Sequence, residues 1–117
     1  MEKSFEIVFL DDAYKFLKSL ERKHYEKILY NIHKAQAEYN SELFKKLNND
    51  IWEFRILYQG LQYRFLAFWD KSACFETLVV STHGFIKKQN KIPNNEILKA
   101  VQLRQKYFDE KTNNEKI

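Results

Sequence analysis

The chain is predicted to fold as an α+β domain, with two N-terminal helices packed on a mainly antiparallel four-stranded sheet and a further helix at the C-terminus. Three observations predict this. Residues 11–39 carry apolar side chains at helical spacing. Residues 51–82 switch to alternating, aromatic-rich segments. Pro93 then opens a second stretch of helical period. A length of 117 residues with 44% hydrophobic content suits one core and one domain, placed at 1–110.

Taken in order, Ser4–Leu10 is a short apolar run with Phe5, Ile7, Val8 and Phe9, ended by Asp11-Asp12, which can cap a following helix. Ala13, Phe16, Leu17 and Leu20 define the first helix. Tyr25, Ile28, Leu29, Ile32, Ala35 and Tyr39 define the second, as a helical hairpin with one apolar face. His24 and His33 sit at the edge of that face or outside it. Ile51–Tyr58 and Leu61–Trp69 read as strands joined at Gln59-Gly60, where glycine suits a two-residue hairpin loop. Cys74–Thr82 follows as a third strand after the turn at residues 70–73, and the N-terminal strand adds a fourth. Ile97, Ala100, Val101, Arg104, Tyr107 and Phe108 share one side of the last helix. Residues 111–117 are polar and are expected to form a disordered tail.

Apolar runs are far too short to span a membrane, and no signal-peptide pattern follows the N-terminus, so a soluble cytoplasmic protein is expected. A lone Cys74 and histidines scattered at 24, 33 and 83 suggest neither a disulfide nor a metal site. The net charge of +4 is modest, but its position is informative. Residues 1–82 hold 12 basic and 12 acidic side chains, whereas residues 83–117 hold 8 and 4. Within the latter, His83–Lys91 carries Lys87, Lys88 and Lys91 with no acid, and reads as a basic loop between strand and helix.

The hairpin loop implies a register. If Tyr58 faces Leu61, then Arg55 faces Arg64, and Trp52, Phe54, Ile56, Tyr58, Tyr63, Phe65 and Ala67 share an apolar face that helices must cover. The two arginines fall on the other face with Glu53. Like charges directly across a ladder repel, so such a pair needs a carboxylate screen or an anion. Extending the register through the next turn pairs Trp69 with Cys74 and Arg64 with Val79, and places His83 on the arginine side. Two guanidiniums, an imidazole and nearby lysines suit phosphate chemistry on RNA, whose 2′-hydroxyl is an internal nucleophile. With no acidic cluster to hold Mg²⁺, a metal-independent route is favoured, without cofactor. Plainer readings stand beside it: Arg55 and Arg64 as salt-bridge partners of Glu53 or Glu76, the lysines as a solvated turn, and Tyr107 as core.

The order Ile51-Trp52-Glu53-Phe54-Arg55, Tyr63-Arg64-Phe65, Thr82-His83-Gly84-Phe85-Ile86-Lys87-Lys88 and Lys91-Ile92-Pro93, with Glu96-Ile97 and Ala100, resembles the phage-derived HigB-like branch of the RelE/ParE toxin superfamily. The resemblance implies a RelE-like fold and the toxin of a type II toxin–antitoxin pair. It further implies metal-independent, ribosome-associated cleavage of mRNA by 2′-hydroxyl attack on the adjacent phosphate. Carried onto matching positions, it marks Arg55, Arg64, His83 and Lys87 as catalytic candidates and Lys88, Lys91 and Tyr107 as RNA-binding candidates. The implied partners are a HigA-like helix-turn-helix antitoxin, mRNA and the ribosome. A ParE-like poison of DNA gyrase and a non-catalytic antitoxin- or RNA-binding module are the alternatives.

Overall fold

The change from helical to alternating period marks the boundary between two helices and a sheet. The computed structural model describes residues 5–38, 40–72 and 78–115. Strand β1 (Glu6–Phe9) leads into helices α1 (Asp11–Ser19) and α2 (Arg22–Ala37). Strands β2 (Phe44–Lys46), β3 (Trp52–Tyr58), β4 (Leu61–Asp70) and β5 (Leu78–Lys87) follow, and helix α3 (Asn94–Glu115) ends the fold. The sheet therefore has five strands in the order β1-β5-β4-β3-β2, with β1 parallel to β5 and the other pairs antiparallel. The expected four-stranded sheet is thus corrected to a five-stranded mixed one. The additional strand, β2, has three residues, Phe-Lys-Lys, too few to show an alternation, and only its pairing with β3 makes it a strand.

Asp11 and Asp12 occupy the first turn of α1, where they favour the positive end of the helix dipole; the residue before them, Leu10, makes no side-chain cap. Leu20 and Glu21 are extended and break the two helices apart. Ala13 and Leu17 of α1 and Ile28, Ile32 and Ala35 of α2 bury against Phe54, Ile56, Tyr63, Phe65 and Ala67, part of the apolar face anticipated from the hairpin register, and against Val79, which was expected opposite Arg64 and instead pairs with Trp69. Each fully buried Leu or Ile side chain here contributes about 1.5–3 kcal/mol of hydrophobic transfer. Gly84 in β5 is required by this packing, because a Cβ there would stand 2.5 Å from Phe65 and 2.6 Å from Phe16.

The hairpin at Gln59-Gly60 has positive φ at both positions, 50° and 78°. These values fit a type I′ turn, which matches the right-handed strand twist. A non-glycine residue in this region costs about 1–2 kcal/mol. Gln59 offsets part of that by accepting, through Oε1, a hydrogen bond from His24 Nε2 at 3.1 Å, while His24 Nδ1 lies 2.8 Å from the Tyr63 hydroxyl. His24 is therefore buried and bonded to the hairpin, not an edge residue of its helix.

On the opposite face, Leu66, Phe68 and Val80 form a second core with Ile51 and Ala100, joined by Tyr107 and Phe108 of α3. Helix α3 thus covers one end of the arginine-bearing face. It also runs on to Glu115, so the disordered tail expected from Lys111 is helical up to that point. The reason is tertiary: Asp70 at the end of β4 accepts hydrogen bonds from Tyr107 Oη at 2.6 Å and Lys111 Nζ at 2.7 Å.

The β4–β5 register differs from the one extrapolated through the turn. Arg64 pairs with Phe85 instead of Val79, and Leu66 with His83, while a bulge at Thr82 shifts the remainder so that Ala67 pairs with Ser81. The expected strand start, Cys74–Thr77, lies outside the described residues; β5 is described from Leu78 and continues through Lys87, so His83–Lys87 is strand and not loop. No described helix is long and apolar enough to cross a membrane.

Candidate anion-binding site

Paired residues share a sheet face, so the ladders place Lys45, Glu53, Leu66 and His83 in one row, Arg55, Arg64 and Phe85 in the next, and Leu57, Gln62 and Lys87 beyond. Helix α3 covers the His83 side of the first row through Glu96. Arg55, Leu57, Gln62 and Arg64, with Glu42 beside them, line an open depression at the uncovered end.

Glu53 is the centre of this end. Its carboxylate oxygens lie 3.7 Å from Arg55 Nε and 3.3 Å from Arg64 Nε, and its side chain is only 6% exposed. Burial pushes the Glu53 carboxyl up, against the opposing pull of Arg64, Arg55, Lys87 and Lys45. Arg64 is 5% exposed and donates to Tyr63 O at 3.1 Å and to Gln62 Oε1 at 3.2 Å. Glu53 Oε2 and Arg64 Nε nevertheless make no hydrogen bond among the described residues. Burial lowers the Arg64 pKa, with Glu53 opposing.

The two arginines therefore differ in what they can do. Arg55 is 34% exposed and can grip an anion directly, whereas Arg64 supplies positive potential from beneath. Lys87, half-buried at the end of β5, has its pKa lowered first by burial and then by Arg64. With Lys45 on the edge strand, four cations surround one buried carboxylate. Lys88 and Lys91 are exposed on the connection to α3.

Two predicted site residues are not part of this opening. His83 shares the face, but its imidazole is 3% exposed, stacked on Phe85 and placed under α3, with Nε2 3.4 Å from Glu96 Oε1 and Nδ1 3.0 Å from Thr82 Oγ1. Burial lowers its pKa, and Glu96 opposes that shift. Tyr107 is bonded to Asp70 and packed on Phe68. Asp70 lies six residues from Arg64 along β4, or about 20 Å at a strand's rise. Sequence reasoning treated Glu53 only as a screen; that its side chain is 6% exposed between the arginines is set by the tertiary structure, and only its place on their face was visible beforehand. Among the described residues no three His, Cys, Asp or Glu side chains converge as metal ligands.

No curated protein matches the chain. The model of the phage-derived Gp49-like protein family (DUF891) matches residues 15–105, which include α2, the whole sheet apart from β1, and the cationic end. That family is commonly the toxin of toxin–antitoxin systems, so an antitoxin partner is implied. The chain belongs to the phage-derived Gp49-like family, within the RelE/HigB-like toxin superfamily.

Proposed function

We propose that the protein is a toxin of the HigB-like kind that cleaves mRNA on the ribosome without metal, and that a HigA-like helix-turn-helix antitoxin neutralises it. The observation that carries this reading is the cationic end of the sheet, where Arg55 faces Arg64 around Glu53 with Lys87 and Lys45 on the same open face. In the proposed reaction the 2′-oxygen attacks the adjacent phosphorus and the P–O5′ bond breaks, giving a 2′,3′-cyclic phosphate and a 5′-hydroxyl. Negative charge grows on the non-bridging oxygens, where Arg55 holds it directly and Arg64 adds field from below. One removed donor of this type typically costs 10²–10³ in rate.

Proton transfer falls to the groups at the open end. Solvent in the open depression takes the 2′-hydroxyl proton, Glu53 stays beneath the arginines, and the depressed pKa of Lys87 suits it to protonate the departing 5′-oxygen. His83, covered by α3, is left out of the chemistry. Lys88 and Lys91 are exposed for backbone contacts.

The test is 5′-end mapping of cellular RNA after induction. New 5′-hydroxyl ends within translated regions are expected, reduced at least 100-fold in Arg55→Ala and Lys87→Ala. These variants change exposed or half-buried side chains, so their folding is expected to hold. The burial of Arg64 and His83 favours one second reading, a non-catalytic module that binds RNA or antitoxin; RNA binding without any new ends would select it. A gyrase poison would instead give DNA-damage signalling with intact RNA.

A further inference from the structure

A second cationic region lies at the other end of the strands. Trp52 begins β3 and Trp69 is the next-to-last residue of β4, and their rings meet edge to face at 5.7 Å. Both are half-buried and open onto a cleft of about 820 Å³ shared with Phe108, Lys46, Lys71 and Arg104. This volume falls in the usual range for small-ligand sites. Lys71 Nζ stands 6.0 Å from the centre of the Trp69 ring, and the Arg104 guanidinium stands 5.1 Å from that of Phe108.

We propose that this cleft binds a segment of single-stranded RNA, with a base packed on Trp69 and Trp52 and its flanking phosphates held by Lys46, Lys71 and Arg104. Among the described residues three cations border the cleft, and the one exposed carboxylate that lines it, Asp50, is already 3.7 Å from Arg104. The neighbouring charge of Asp70 is taken up by Lys111, Tyr107 and Ser72. The remaining positive charge beside flat aromatic faces is the combination that unstructured RNA fits: stacking needs no particular base, and lysines follow the backbone.

The edge strand joins this cleft to the anion site. Lys45 pairs with Glu53 and Lys46 with Trp52, so consecutive lysines of β2 point to opposite faces. An RNA strand that passes around this outermost strand meets Lys45 on the arginine side and Lys46 on the tryptophan side. The inference rests on the nuclease reading for its substrate class, and adds a second place where that substrate is held.

Both tryptophans of the chain line the cleft and also an apolar pocket beside it with Phe5 and Phe44, so their fluorescence reports on both, and Lys71, which lines the cleft and not that pocket, separates the two. The probe is a 2′-O-methyl oligouridylate hexamer, which cannot be cleaved by its own 2′-oxygen. Saturable quenching is expected. In Lys46→Ala/Lys71→Ala, both exposed positions, affinity for the labelled hexamer should fall about tenfold and the slope of log affinity against log salt by about 1.4. Trp69→Phe should weaken binding less than Trp69→Ala, if the latter folds.

Quenching and the double-variant loss without any RNA cleavage by the wild-type chain would keep this site and remove the nuclease reading. Cleavage with no quenching and an unchanged double variant would overturn this site and keep the nuclease. Quenching by an oligoglutamate peptide but not by the hexamer would assign the cleft to an acidic protein segment, which also overturns it.

Discussion

Arg55 stands directly opposite Arg64 across the β3–β4 ladder, and one carboxylate, Glu53, lies within 3.7 Å of the first and 3.3 Å of the second. Two like charges in facing positions lower sheet stability. Here the carboxylate offsets the repulsion without forming a close hydrogen bond to either Nε, and the partly exposed Arg55 is left able to meet an anion.

Removing the two kinds of charge should have unequal effects. Arg64→Ala leaves Glu53 buried beside a single partly exposed arginine and should cost about 3 kcal/mol near neutral pH. Glu53→Gln should cost more, about 4 kcal/mol, because it leaves the buried Arg64 facing Arg55 with no carboxylate between them. The sign follows from the raised Glu53 pKa: its favourable contribution is full below the unfolded value of 4.5 and is lost as pH rises through the higher folded value. The Arg64→Ala deficit should therefore shrink at pH 4. Urea denaturation at both pH values checks this, and an equal deficit at each would contradict it.

Asp70 anchors the end of α3. Its carboxyl is held well below the usual carboxylate range by hydrogen bonds from Lys111, Ser72 and Tyr107, which outweigh burial. The stability it contributes is present above the unfolded value of 3.8 and is lost as pH falls through the lower folded one. Asp70→Asn should cost about 2 kcal/mol at pH 7, from the weakened charge-assisted bonds. Amide exchange should quicken in residues 107–115 before the rest of α3. If those amides keep wild-type protection, the anchor is not Asp70.

His83 should make the fold acid-sensitive. Its pKa is lowered by burial against the pull of Glu96, with Lys99 and Asp12 also facing it. The unfolded chain takes up the proton first, so stability is full above about pH 6.5 and falls as pH drops through the folded value. A His83→Gln variant should show a flatter profile of melting temperature between pH 6.5 and pH 5. Activity per folded molecule should be retained, since the imidazole is placed outside the chemistry; a loss above 100-fold would return His83 to the site.

Gly84→Ala should destabilise the protein by about 1–3 kcal/mol through overpacking against Phe65 and Phe16. Its ladder partner lies on the helix-covered face, so phosphate affinity at the arginine end should be unchanged in the folded fraction. Thermal melts with and without inorganic phosphate separate the two effects: the baseline melting temperature moves and the phosphate-induced increment does not.

How much of this was legible beforehand depended on the length of the connections. Gln59-Gly60 leaves a hairpin almost no freedom, so the Arg55–Arg64 pairing and the face they share with Glu53 followed from counting residues. The connection to β5 is longer, and Thr82 adds a bulge, so the pairing of Arg64 with Phe85 was out of reach although His83 still fell on the arginine face. Strand β2 has no period of its own to read.

By itself the sequence determined the local and the adjacent: the helical stripes of α1 and α2, the apolar hairpin face, the basic character of the chain beyond residue 83, and the likeness that led to a toxin family. The tertiary structure alone decided which of those groups meet. Helix α3 returns across the sheet and buries His83 under Glu96, ties Tyr107 and Lys111 to Asp70, and leaves Arg55 and Lys87 partly exposed around the buried Glu53. Those contacts join residues that are 13 to 41 positions apart. A pattern of side-chain period records which face an element buries, and carries no record of what a distant element will lay upon it.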